Sequence, residues 1–264
     1  MVPITIRDLE IGTGMPKVCL PIVGHTQYEI VSQTMTIASL KPDIVEWRVD
    51  WYDDVLQSEN LIEMLKQVRK LLDKIPLLLT FRRVEEGGVQ ECTIEEYTRV
   101  YETAIQSGLV DLVDYELEVG DDALIPLIKH AKDAGITVVV SNHDFEKTPA
   151  KKELIRRMEK MIEINADIPK IAVMPNSNRD VLELLDVTDT IHQKYPDVPI
   201  ITMSMEGRGI VSRVCGEIFG SCDNIWLCKK GICPWNRLKL TTIERAIKII
   251  HENLYHKDEF EICS

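Results

Sequence analysis

Eight short runs rich in Val, Ile and Leu recur along this chain, and amphipathic segments of helical period lie between them. The runs are KVCLPIV (17–23), IVEWRVD (44–50), PLLLTFR (76–82), LVDYELE (112–118), TVVVSNHD (137–144), IPKIAVM (168–174), IITMSM (200–205) and NIWLCK (224–229). Helical period is clearest at 60–72, 150–164, 179–194 and 241–254. Strands alternating with helices, at roughly thirty residues per unit, predict an α/β fold closed as a single (β/α)8 barrel of the TIM type. An open doubly wound sheet would carry a glycine-rich turn after its first strand, and none stands there. Residues 3–16, ITIRDLEIG with a Gly-containing turn, look like a short hairpin closing the barrel floor. No linker or shift of composition divides the chain, so residues 1–264 are expected to form one domain, with 1–16 as the hairpin and 256–264 as a disordered tail.

In such a barrel the chemistry gathers at the C-terminal ends of the strands. Those ends are unusually polar here. Glu46, Arg48 and Asp50 alternate and so share one face of the second strand. Arg82 ends the third, and Glu86 follows in its loop. The fifth ends in Ser141-Asn142-His143-Asp144, the seventh in Met203 and Met205, and Arg213 comes soon after. Lys170 lies mid-strand between Ile168 and Ala172 on one face. At a sheet edge such a lysine would snorkel to water. In a closed barrel it faces inward, where desolvation and nearby arginines favour the neutral amine, a nucleophile toward carbonyl carbon. His143 is then a proton-transfer group and Glu86 a carboxylate able to orient it. The arginines would grip substrate oxygens or form ion pairs with Glu46 and Asp50.

The net charge of −12, with no basic stripe, argues against nucleic acid or an anionic membrane as partner. The N-terminus does not read as a signal peptide, and no apolar stretch approaches the ~18 residues of a membrane span. Seven scattered cysteines fit reduced thiols of the cytoplasm. Cys215, Cys222, Cys228 and Cys233 lack the short pair spacing of a zinc site, so no metal is expected.

EWRVD (46–50), TFRxxxEGG (80–88), SNHDF (141–145), DIPKIAVMP (167–175) and SRxxGExFGS (212–221), in this order, resemble type I 3-dehydroquinate dehydratase, the Schiff-base enzyme of the shikimate pathway. The resemblance implies a (β/α)8 barrel that removes water from 3-dehydroquinate, a small anionic cyclic keto acid. Lys170 would form the imine, His143 would act as general base and acid, and Glu86 would orient His143. Arg213 would pair with the substrate carboxylate, and Glu46, Arg48 and Arg82 would contact ring hydroxyls. Met203 and Met205 would line the pocket. No cofactor is implied, and family members are often homodimers.

The chain departs from the family in the lid after the eighth strand. Where the family reads Ser-Ala-Pro-Gly-Gln, this sequence reads Ile232-Cys233-Pro234-Trp235-Asn236. Ile232 lacks the serine hydroxyl, and Asn236 is a shorter amide than Gln. Lids complete substrate contacts and exclude water. Either these residues make substitute contacts, or the enzyme is slow, or it takes a related keto acid; the intact Lys170, His143 and Glu86 favour the first two. A Schiff-base aldolase and a binding protein that has lost turnover are the rival readings. The first wants a phosphate-gripping loop, and the second has no use for the lysine and histidine.

Overall fold

The computed structural model describes residues 2–226 and 240–255. It opens with a hairpin, β1 (Ile4–Ile6) against β2 (Leu9–Ile11), antiparallel with Ile4 opposite Ile11. Its turn falls at Arg7 and Asp8, with Arg7 at φ 55°, while Gly12 and Gly14 follow the second strand. Eight parallel strands come next: β3 (Lys17–Ile22), β4 (Ile44–Arg48), β5 (Leu77–Thr80), β6 (Leu112–Glu116), β7 (Thr137–Asp144), β8 (Ile168–Val173), β9 (Ile201–Ser204) and β10 (Asp223–Trp226). They lie in the order β10-β3-β4-β5-β6-β7-β8-β9. The row curls so that its end strands approach: Ile200 bridges Ser221, and the Cys222 amide donates to Ile200 O at 2.9 Å. The eighth run ends as described strand at Trp226; residues 227–229 lie outside the described residues.

The helices are α1 (Gln27–Ser39), α2 (Ser58–Leu72), α3 (Ile94–Ser107), α4 (Asp121–Asp133), α5 (Lys151–Glu163), α6 (Asn178–Lys194), the short α7 (Ile210–Val214) and α8 (Leu240–Tyr255). Capping boxes start three of them, pairing Thr26 with Glu29, Thr93 with Glu96 and Ser177 with Asp180. Each satisfies two amides that the first helical turn would leave unpaired. Among the described residues no helix is long and apolar enough to cross a membrane.

Alternation along the strands sorts the side chains into two cores. Val45, Trp47, Leu77, Leu79, Val113, Tyr115, Val138, Val140, Ile171 and Val173 pack outward among the helices. Ile44, Leu78, Leu112, Val139, Ile168 and Ile201 form an inner apolar layer at the base, where Ile6 and Ile11 of the hairpin join them. Three aspartates just ahead of alternate strands fasten that base. Asp43, Asp111 and Asp167 accept the amides of Val18, Leu77 and Val138 at 2.8, 2.8 and 2.9 Å. Asp111 also takes Arg7 Nε at 2.6 Å and Arg69 Nη1 at 2.9 Å, which tethers the hairpin.

Candidate active site

One inward step above the apolar layer the same strands present Glu46, Thr80, Asp114, Ser141, Lys170 and Met203. A change from grease to charge within two residues of each strand makes this end of the sheet a site rather than more core. Lys170 stands beside Ser141 in register and is buried, at 3% exposure. Its Nζ donates to Asp114 Oδ2 at 2.7 Å. Asp114 Oδ1 receives Arg82 Nη2 at 2.9 Å and Ser141 Oγ at 2.5 Å.

Arg82 is the hub of this layer. Its Nη1 reaches Ser141 Oγ at 2.8 Å, Glu116 at 3.1 Å and Glu86 at 3.5 Å. Burial works against its charge, but Asp114, Glu116 and Glu86 outweigh it and hold the guanidinium protonated. Burial would likewise raise Asp114; Arg82 and Lys170 reverse that and hold it well below the usual carboxylate range. Glu46 goes the other way: burial pushes its carboxyl up, against the pull of Lys170 and Arg48. Arg48 is occupied by Asp50, with bonds of 2.7 and 2.8 Å. Asp50 also accepts the Arg82 amide, so this pair ties the β4 end to the loop after β5.

His143 aligns with Ala172 in the β7–β8 register, one inward step above Lys170 on the neighbouring strand. Glu86 Oε2 faces its ring Nδ1 at 2.9 Å and its backbone amide at 3.0 Å, and Asn142 Nδ2 donates to Oε1 at 3.1 Å. Asn142 is in turn held by Arg157 of α5 at 2.6 Å. Burial, then Arg82 and Lys170, push His143 well below the imidazole value of 6.5, so the ring is neutral near neutral pH. Burial pushes Glu86 up to about 8, with Arg82 holding it down.

The loop carrying Glu86 depends on two glycines. Gly87 has φ 82°, and a Cβ there would lie 2.6 Å from the Phe145 ring; at Gly88 it would run into Arg82 O. Phe145 thus covers the loop closely and also stacks on His143, with centroids 6.3 Å apart at 18°. Met203 and Met205 line the buried interior beside Ala172. Arg213 lies half-buried on α7, where Ser212 Oγ, bonded to the Ser204 amide at 2.8 Å and to Gly209 O at 2.7 Å, fixes the turn before it.

Lys170, His143, Glu86, Glu46, Arg48, Arg82, Met203 and Met205 are therefore set on the same end of the sheet, with Arg213 following β9. Ile232 and Asn236, with the rest of the expected lid, lie outside the described residues. Sequence reasoning did not single out Asp114 and Glu116. The signal was present in LVDYELE, where Asp114 and Glu116 alternate as Glu46 and Arg48 do.

The sequence profile of Type I 3-dehydroquinase matches residues 18–253. A 3-dehydroquinate dehydratase of Clostridium botulinum is 44% identical over 251 residues, covering 95% of this chain and 98% of the relative. One from Salmonella agona is 40% identical over 252 residues, covering 96% and 100%. Among solved structures, type I 3-dehydroquinate dehydratase from Clostridium difficile, with covalently modified comenic acid, superposes with a TM-score of 0.92 at 38% identity. That match covers 96% of this chain and 100% of the other.

Proposed function

The chain belongs to the type I 3-dehydroquinase family, and from that premise we propose that it dehydrates 3-dehydroquinate to 3-dehydroshikimate through an imine on Lys170. The observation that carries this reading is the placement of a neutral imidazole, held by Glu86, one inward step above a buried lysine on adjacent strands. The lysine nitrogen bonds to the ring ketone carbon, and water leaves. His143 takes a proton from the carbon next to the imine, the C–H electron pair forms a C=C bond, and the C=N pair moves onto nitrogen. The enamine then expels the hydroxyl, which departs as water with the proton that His143 carries. Water cleaves the conjugated imine and frees Lys170.

Glu86 fixes the ring tautomer and orientation, with Nδ1 toward the carboxylate and Nε2 toward substrate. Arg213 pairs with the substrate carboxylate, and Glu46, Arg48 and Arg82 serve the ring hydroxyls. Met203 and Met205 form the apolar wall, and Ile232 and Asn236 act in the lid. Lysine supplies the covalent catalysis, so the reaction calls for no metal or organic cofactor. In the same reading the sheet is a closed (β/α)8 barrel, residues 1–264 form one domain, and the enzyme is a cytoplasmic homodimer.

The test is turnover of 3-dehydroquinate followed by ultraviolet absorbance of the conjugated enone. Lys170→Ala is expected to lose turnover and borohydride trapping, while His143→Ala keeps part of the trapping but not the elimination. Dehydration by Lys170→Ala sinks the imine. Trapping without turnover in the wild type points instead to a related keto acid as substrate.

A further inference from the structure

Asp114 has no part in the mechanism just given, yet it touches the reacting nitrogen. It is fully buried and divides its two oxygens: Oδ1 takes Arg82 and Ser141, and Oδ2 takes Lys170 Nζ at 2.7 Å. The Tyr101 hydroxyl holds the Asp114 carbonyl, and the β5–β6 register sets the residue beside Thr80. A rigid carboxylate at this point has a charge to balance, and the imine reading, on which this inference rests, says which one.

Forming the imine conserves the charge at nitrogen. His143 holds the proton that the ammonium gives up, and the freed lone pair makes the C–N bond as the carbonyl pair goes to oxygen. One N–H proton passes to that oxygen. The proton on His143 then leaves with it as water, and the nitrogen lone pair closes the C=N bond. Ammonium plus ketone has become iminium plus water, with one positive charge at nitrogen before and after.

We propose that Asp114 is a catalytic residue, the fixed counter-charge 2.7 Å from the Lys170 nitrogen that holds the proton on the iminium once it has formed, so that the imine remains an electron sink. A charge aimed in advance at the transition-state cation needs no reorganisation during reaction. Arg82 and Ser141 on Oδ1 draw on the same carboxylate and keep it from holding the iminium too strongly when electrons must flow in. Among the described residues, the titratable groups placed about this nitrogen include Asp114 on β6, Glu46 on β4 and His143 on β7. Of the two facing carboxyls, Asp114 is held down and Glu46 pushed up, so Asp114 is the one that carries charge.

Cyanoborohydride, which reduces the protonated imine, is the probe, with 3-dehydroquinate as substrate and the adduct mass read by peptide mapping. In the wild type, trapping at Lys170 is expected to persist as pH rises past the point where an imine of the same ketone with a simple alkylamine loses its proton. Asp114→Asn should lower kcat roughly 10²- to 10³-fold and bring the loss of trapping down toward that model imine. Trapping by the wild type that fades together with the model imine overturns the proposal, whether or not the variant folds. Wild-type turnover and pH profile in a folded Asp114→Asn protein overturn it too, and leave the Lys170 imine standing. A wild type that turns over but yields no adduct at any pH removes the imine, and this inference with it.

Discussion

A single oxygen, Glu86 Oε2, holds His143 twice, at the ring Nδ1 and at the backbone amide, at 2.9 and 3.0 Å. The imidazole therefore cannot swing without breaking a bond made to its own backbone support.

Burial, Arg82 and Lys170 depress His143 below 6.5, so the acid limb of kcat/KM is expected below that pH rather than at it. The stability effect has the same sign. The unfolded chain binds this proton more readily, so the contribution is complete above pH 6.5 and is lost as pH falls through the depressed folded value. NMR titration of the His143 ring beside the pH–rate profile checks both. An acid limb at or above the ordinary imidazole value contradicts the assignment.

Phe145 stacks on His143 and covers Gly87, so it steadies both the base and the loop that carries Glu86. Losing an aromatic pair of about 0.5–1.5 kcal/mol predicts that Phe145→Ala slows kcat about 2- to 12-fold. Phe145→Tyr should restore it. The same loss in a variant whose pH profile and His143 NMR signals are unmoved would mark Phe145 as packing alone.

The Tyr101 hydroxyl donates to Asp114 O at 2.5 Å and accepts the Phe81 amide at 2.9 Å, both buried. Tyr101→Phe strands that amide and should cost about 1–3 kcal/mol. Denaturant melts of the two proteins measure it, and a change within error would mean that water fills the gap.

Arg82 is the shared cation of Asp114, Glu116 and Glu86. Arg82→Met keeps much of the bulk and leaves buried carboxylates without their cation, a loss of about 3–5 kcal/mol at neutral pH. The deficit should shrink as acid protonates the carboxylates, which thermal melts across pH will show. A deficit that is flat with pH would place the cost in packing.

The strand-and-helix order was legible because each element buries a face of its own period: Val138 and Val140 lie outward, Val139 and Ser141 inward. Lys170 and His143 stood out as candidates, a charge inside an apolar strand and a histidine at a strand end beside Asp144. Glu86 is a loop acid whose contact with His143, 57 residues on, needs the fold. Asp114 was not legible, because an acid in LVDYELE looks like one on a solvated strand until the register sets it against Lys170. Nor was the role of Asp43, Asp111 and Asp167 as caps for amides on the preceding strands, which needs pairings 25 to 34 residues apart. The hairpin was visible in ITIRDLEIG, but its turn uses Arg7 at positive φ rather than a glycine, with the Asp111 ion pair holding that residue in place.

Among the described residues, Ile6 and Ile11 fill the apolar base of the sheet below Lys170, so the proposed substrate reaches the lysine from the opposite, charged end. In the proposed reaction substrate, the expelled water and product then share that end of the sheet. Where those routes coincide, departure of one molecule sets when the next can meet the lysine, and traffic as well as chemistry can set the rate.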